Sequence, residues 1–390
     1  MTRSGPLSGV RVLDLSRLLP GGACTLVLAD LGADVVKVEE PGHGDYMRWI
    51  PPYSDEFGAM FSGSNRNKRS VTLDLKHPDG PDVLRRLAAG VDVVVESFRP
   101  GVADRIGAGY DELSRDNPKL VYCSVSGYGQ TGPYVRRPGH DLNYLAASGL
   151  LSMTAPGGAP AALGPQVADV WGGGVTAAVA VLAALVGRVG TGCGRYLDVS
   201  MLDGSTFGLA NHAPEWLVGR TAFEPGRQLL SGGVGSYGVY AARDGHVTVG
   251  DYEEKFWART CELLGRPDLV EHHVDRDEGA DWLREQLAGE FAKRTRAEWE
   301  ELFAGEDTCF MPVLTVEEAL DSEHFAEREL VVEVPMDGDR TERQLSTPWT
   351  HLGAGDHRRA PRIGEHTTEV LAEIGLSPDE VSELVDRKVV

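Results

Sequence analysis

The 390-residue sequence predicts an α/β protein: a large unit built on a parallel sheet, plus a smaller α+β unit. Three observations predict this. Short apolar runs rich in valine alternate with helix-length segments through the first part of the chain, the order that makes parallel strands covered on both faces. The texture changes near residue 225, where a hairpin pattern replaces the alternation. The length suffices for two domains.

The elements follow in order. "VRVLDLS" (10–16) reads as a buried strand, "ACTLVLADLGA" (23–33) as a helix and "DVVKVEEP" (34–41) as a second strand, a βαβ unit. "SVTLDLK", "DVLRRLAAG" and "VDVVVES" continue as strand, helix, strand, and "DELSRDNPKLVYCSVSGYG" adds a helix and a strand. The sheet is therefore Rossmann-like. The first βα turn, "SRLLPGGAC", lacks G-x-G-x-x-G, so a dinucleotide site loses its main support. "YGVYAARDGHVTVGD" (237–251) reads as a hairpin around Asp244-Gly245. Helical segments "EKFWARTCELLG" and "DWLREQLAGEFAKRTRAEWEELFAG" follow, and "PVLTVEEALD" (312–321) leads out. The end reads as two short helices, with "LSPDE" starting the second. The expected organisation is a large domain over 1–200, a small α+β domain over 225–320, and a return to the large domain over 325–390.

Composition narrows the function. Charged residues at 25% and apolar ones at 42% are ordinary for a soluble globular chain. A net charge of −21 repels duplex nucleic acid, so no nucleic-acid partner is expected, and an anionic small ligand needs a local basic pocket. The five cysteines are scattered with no CxxC pair, which fits reduced thiols rather than a disulfide framework or a zinc site. The first residues contain no signal-peptide apolar core, and a cytoplasmic protein is expected. "VTAAVAVLAALVG" (175–187) reads as a buried helix too short to span a bilayer, so no membrane partner is expected.

Several residues could carry chemistry. His272-His273 lacks the complementary spacing of a metal site, and none is expected. No G-x-S-x-G elbow exists. His140, in "GHDLNY" (139–144), sits at a turn-to-helix junction, and Asp169, in "QVADVWGGG", lies inside an apolar stretch. An aspartate there must be capped, paired or used. Taken alone, Asp169 fits a helix N-cap and His140 an exposed loop histidine, and spacing does not join them. "NRNKRSV" (65–71), Lys37 and Arg99 are basic residues near strand ends. They suit either a solvated surface or a phosphate pocket at the carboxyl edge of the sheet.

Eight segments in order change the weighing: "LADLGADVVKVEEPGHGD" (28–45), "NRNKRSVTLDLK" (65–76), "ESFRPGVADRIG" (96–107), "SVSGYGQTGP" (124–133), "GHDLNYLAASGLL" (139–151), "VADVWGGG" (167–174), "SMLDGS" (200–205) and "GEHTTEVLAEIG" (364–375). With them the chain resembles the family III CoA-transferase superfamily (CaiB/BaiF type), and within it the α-methylacyl-CoA racemases. The resemblance implies an interlocked homodimer, with sites between the large domain of one subunit and the small domain of the other. It implies His140 and Asp169 as a two-base pair for 1,1-proton transfer at the α-carbon of a 2-methylacyl-CoA thioester. Glu253, in "VGDYEEKF", is implied to hold the imidazole across subunits. Lys37, Arg66, Lys68 and Arg99 are implied at the phosphates or adenosine of CoA, with Tyr144 lining the thioester pocket. Asp141 is expected to orient its neighbours or cap a helix. No cofactor is implied beyond the CoA of the substrate itself. The alternative is a CoA-transferase using Asp169 as nucleophile, which such enzymes do without a histidine at the place of His140. Departures touch the acyl end. Only seven methionines exist where racemases offer a methionine-rich floor, and "TFGLANHAPEWLVGR" and "LLSGGVGSYGVY" differ from the racemase pattern. "SGGVG" is similar to a mobile glycine loop of the transferases.

Overall fold

The structure is a computed structural model that describes residues 4–54, 57–154, 158–353 and 355–390. The chain divides into two units. One comprises Met1–Ser148, Leu163–Gly208 and Glu323–Val390, the other Gly149–Ala162 and Leu209–Ser322.

Six strands form the sheet of the larger unit: β1 (Arg11–Asp14), β2 (Asp34–Glu39), β3 (Arg69–Thr72), β4 (Val93–Glu96), β5 (Val121–Ser126) and β6 (Arg195–Ser200). Their order is β3-β2-β1-β4-β5-β6, and every neighbouring pair is parallel. The order reverses between β1 and β4, where folds of this kind open a crevice at the strands' carboxyl ends. Alternate residues feed two cores. Leu13, Val36, Val94 and Tyr122 face one layer, and Val12, Val35, Val93 and Cys123 the other. Burial on both faces explains the near-continuous valines.

Helix α1 spans Leu18–Asp30, five residues earlier than its apolar pattern predicts. Pro20, Gly21 and Gly22 are its first turn, because close packing there demands small residues. A Cβ on Gly21 would stand 2.0 Å from the Ser16 side chain. Helix α2 spans Asp141–Ser148. A wide π-type turn, Ala168–Val175, runs straight into helix α3, Thr176–Thr191.

The apolar run 175–187 departs from its expectation. The continuous helical stretch Ala168–Thr191 has 24 residues and contains an 18-residue window of mean hydropathy 1.9, long and apolar enough to cross a membrane by length and composition. One face, with Ala177, Ala178, Val181 and Ala184, belongs to the sheet's core. The other leaves Val179, Val186 and Val189 at 59%, 74% and 89% exposure. Uniform apolarity hid which face the core would take.

The smaller unit holds a three-stranded antiparallel sheet, β7 (Tyr237–Ala242), β8 (Gly245–Gly250) and β9 (Phe310–Pro312), with β8 central. The helical pattern 281–305 breaks into Glu278–Phe291 and Arg296–Phe303. Thr295 and Glu298 form a capping box that starts the second piece. Towards the C-terminus, the hairpin Val331–Pro335/Thr341–Leu345 has no counterpart in the expected elements. Helix Pro378–Asp386 opens on Ser377, whose capping box with Glu380 is the "SPDE" signal.

Candidate active site

His140 and Asp169 start two helical segments of the larger unit, and Asp141 ties them together. The His140 carbonyl accepts from Asn143 N at 2.8 Å and Tyr144 N at 3.3 Å, so His140 stands at the mouth of α2 with its side chain exposed. Asn143 Oδ1 reciprocates by accepting His140 N at 3.0 Å. Asp141, in the first turn of α2, points its carboxylate across the gap, and its Oδ1 accepts the backbone N–H of Asp169 at 3.0 Å. Asp169 is half-buried in the wide turn. Burial first, and then the Asp141 charge, push its pKa up to about 6, while His140 pulls the other way. Asp169 is thus poised to hold or release a proton near neutrality.

Glycines let this turn sit close to its neighbours. A Cβ on Gly172 would lie 2.5 Å from Ser205 Oγ, and one on Gly173 2.7 Å from Met201 Cγ. One on Gly174 would lie 2.7 Å from Ala23 Cβ of α1. The "WGGG", "SMLDGS" and "PGGA" segments therefore meet as one packing unit beneath Asp169.

Tyr144 is buried in α2. Its hydroxyl donates to Gly139 O at 2.5 Å, and Tyr128 meets its ring edge-on at 5.1 Å between centroids. Burial first, then the charge of Asp169, hold its pKa up at about 12, against the pull of Arg99. Arg99, exposed in the loop after β4, therefore lies within electrostatic reach of the Tyr144 hydroxyl.

The other expected phosphate ligands are buried and paired within the protein. Lys37, Arg66 and Lys68 are buried. Arg66 grips Asp30 at 2.6 Å and Leu345 O at 2.8 Å. Lys37 pairs with Asp45 at 3.1 Å and Lys68 with Asp14 at 3.3 Å. Carboxylates inside the protein match their charge. The crevice lip holds instead a cation not foreseen from the sequence, Arg17. It is half-buried after β1, with its guanidinium 3.2 Å from Glu40 and 5.5 Å from the Tyr46 ring. Its place one residue past an apolar strand was the available signal.

Glu253 lies in the smaller unit. It is exposed at the N-cap of helix Glu254–Leu264, where its carbonyl accepts Phe256 N and Trp257 N, each at 3.1 Å. Two residues earlier, buried Asp251 accepts Cys309 N at 2.7 Å and fixes the turn that presents it. Ser231 and Gly232 of the "SGGVG" segment line a cavity of about 850 Å³ within this unit. Among the described residues no group of three or more His, Cys, Asp or Glu side chains is arranged to hold a metal ion.

The model of "CoA-transferase family III" matches residues 7–367. The chain belongs to this family. It is 36% identical to human "Alpha-methylacyl-CoA racemase" over 392 residues, covering 98% of this chain and 97% of that protein. It is 32% identical to human "Succinyl-CoA:glutarate CoA-transferase" over 384 residues, covering 96% and 87%. Its fold is similar to the crystal structure of a CAIB/BAIF family protein from Brucella suis, with a TM-score of 0.81 and 30% identity over 95% of this chain and 99% of that one. Membership makes the chain an enzyme of this family, and its relatives include both racemases and transferases.

Proposed function

We propose that the enzyme inverts the α-carbon of a 2-methylacyl-CoA thioester by two-base 1,1-proton transfer. One observation carries this reading: an exposed histidine and a half-buried aspartate of raised pKa sit at two helix starts bridged by Asp141. The α-proton of a thioester is weakly acidic, so its removal needs a positioned base and a stabilised enolate. Neutral His140 takes the proton from one face, leaving an enolate, and protonated Asp169 returns one to the other face. The reverse reaction starts from Asp169 carboxylate and imidazolium. A pKa of about 6 lets Asp169 serve in both states. In the homodimer, Glu253 of one copy holds the imidazole of the other and supports its cation, as a carboxylate partner does in other enzymes. Arg99 and Arg17 supply positive charge to the CoA end at the crevice between β1 and β4. This chemistry calls for no cofactor beyond the CoA of the substrate. The bare apolar face of α3 supports a homodimer, since Val179, Val186 and Val189 are a continuous surface for a second copy to cover.

The second reading is a CoA-transferase with Asp169 as nucleophile. Relatives such as the succinyl-CoA:glutarate enzyme, alike over 96% of the chain, favour it. Deuterium wash-in separates the two. A panel of 2-methylacyl-CoA esters is incubated in deuterated water, with and without free carboxylic acids. The racemase reading expects α-deuteration of both enantiomers without an acceptor acid, lost in His140→Ala. Absence of exchange across the panel, with CoA passing to the added acid and little effect of His140→Ala, would overturn it.

A further inference from the structure

Beneath the loop that follows β1, four charged side chains are buried together: Asp14, Lys37, Asp45 and Lys68. Lys37 Nζ stands 3.1 Å from Asp45 Oδ2 and 3.9 Å from Asp14 Oδ2. Lys68 Nζ lies 3.3 Å from Asp14 Oδ2 and 2.7 Å from Thr25 Oγ1. Taking four charges out of water is costly, and the proton-transfer chemistry uses none of them. Their output is the backbone of Ser16–Leu18. Ser16 N donates to Asp14 Oδ1 at 2.9 Å, and Ser16 O accepts from Lys37 Nζ at 2.8 Å. Arg17 N donates to Ser97 Oγ at 3.0 Å, and Ser97 Oγ reaches Arg17 O at 3.3 Å. Leu18 N donates to Asp45 Oδ2 at 3.1 Å. Leu18 itself has φ +63°, a left-handed conformation that a leucine keeps only when its surroundings over-determine it.

The place matters. This loop leaves the carboxyl end of β1, and Ser97 belongs to the loop leaving β4. The two flank the reversal of strand order, so the hydrogen bonds of Ser97 stitch both lips of the crevice together. We propose that the buried Asp14–Lys37–Asp45–Lys68 cluster is a positioning device that fixes the Ser16–Leu18 lip for CoA. Lys37 and Asp45 act on the ligand through backbone geometry and not by contact. The inference rests on the CoA-ester reading above and adds residues that reading does not use.

Two ligands, CoA and 3′-dephospho-CoA, test it by calorimetry on the full-length protein, with thermal melts to verify folding. Lys37→Met and Asp45→Asn should each weaken both ligands by the same factor, roughly ten-fold, as loss of a hydrogen bond to a charged group does; an asparagine at 45 keeps one oxygen where the carboxylate uses two, for Leu18 N and Met47 N. KM for an acyl-CoA substrate should rise in step while kcat stays within about two-fold. Asp45→Asn is decisive by its sign. Removing a negative charge should, by field alone, tighten a polyanion, so weaker binding requires geometry. Ser97→Ala, which unties the same lip without touching charge, should weaken CoA likewise and carries the test if Lys37→Met does not fold. The proposal falls if Asp45→Asn binds CoA as well as or better than wild type. It falls also if Lys37→Met erases the preference between the two ligands, the mark of direct contact with the 3′-phosphate. A wild-type protein that binds neither ligand overturns the CoA-ester reading, and the lip with it.

Discussion

The backbone N–H of Asp169 donates to Oδ1 of Asp141 at 3.0 Å, joining the first turn of α2 to the wide turn before α3. One carboxylate therefore does two things to the other. It fixes where Asp169 stands, and its charge helps to keep a proton on the Asp169 side chain. The neighbour of the histidine in "GHDLNY" thus positions Asp169.

Asp141→Asn separates these effects. An asparagine oxygen still accepts the Asp169 N–H, but the charge is gone. The Asp169 pKa should move down towards the usual carboxylate range, and the alkaline limb of the kcat/KM profile, where Asp169 loses its proton, should move to lower pH with it. At pH 7 less Asp169 carries its proton, and exchange should slow by roughly ten-fold. Asp141→Ala removes the tether too and should cost roughly a hundred-fold. An alkaline limb unmoved in Asp141→Asn would mean that Asp169 is not the group titrating.

Asp169 also couples pH to stability. Its pKa is raised in the folded protein from 3.8 to about 6. A raised folded pKa means that the stability this group contributes is complete below about pH 4 and is lost as pH rises through 6. Asp169→Asn, which cannot ionise, should abolish α-proton exchange yet stabilise the protein at pH 7.5. The gain should be on the order of 1 kcal/mol, discounted for the half-exposed position. Urea unfolding at pH 7.5 and pH 4 measures it. The advantage should vanish at pH 4, and an equal advantage at both would exclude ionisation as its cause.

What the sequence revealed follows from how far apart partners lie along it. The valine runs of β1, β2, β4 and β5 were readable because burial on both faces leaves no alternation to misjudge. The capping box at Ser377 was readable because its members are three residues apart. Arg66 and Lys68 were not. In "NRNKRSV" a run of cations looks like a phosphate pocket, and the aspartates that neutralise them lie 36 and 54 residues away. The glycines after Asp169 were visible, but Pro20, Ala23 and Met201, which require them, meet the turn only in the folded state. No periodicity could show that α3 leaves a valine face bare.

Those buried pairs predict a clean structural effect. Lys68→Met should leave the Asp14 carboxylate partly uncompensated in the core. Unpairing a buried charge typically costs about 3–5 kcal/mol, but Lys37 remains 3.9 Å from Asp14, so the lower end is expected. Burial, followed by the neighbouring charge of Lys37, already depresses the Lys68 pKa to about 8, against the pull of Asp14. The double change Lys68→Met/Asp14→Asn should recover a good part of the loss. Denaturant titration of the single and double variants measures it, and a double variant as weak as the sum of the singles would refute the pairing.

Tyr144 gives a packing test of the same site. A Cβ placed on Gly127 would stand 2.4 Å from the Tyr144 ring, and one on Gly139 2.7 Å. The ring fills a slot that only these two glycines leave open, with its hydroxyl tied to Gly139 O. Gly127→Ala should therefore push the ring out, break that bond and cost about 1–3 kcal/mol. Because Tyr144 lies in the segment between His140 and the core, the exchange rate should fall along with stability. Tyr144→Leu alone removes the buried hydroxyl and ring but opens the slot. In the combined Gly127→Ala/Tyr144→Leu protein the added methyl has room, so the two changes should cost less together than their sum, by about 1 kcal/mol or more. Additive losses in stability would mean that Gly127 is small for a reason other than Tyr144.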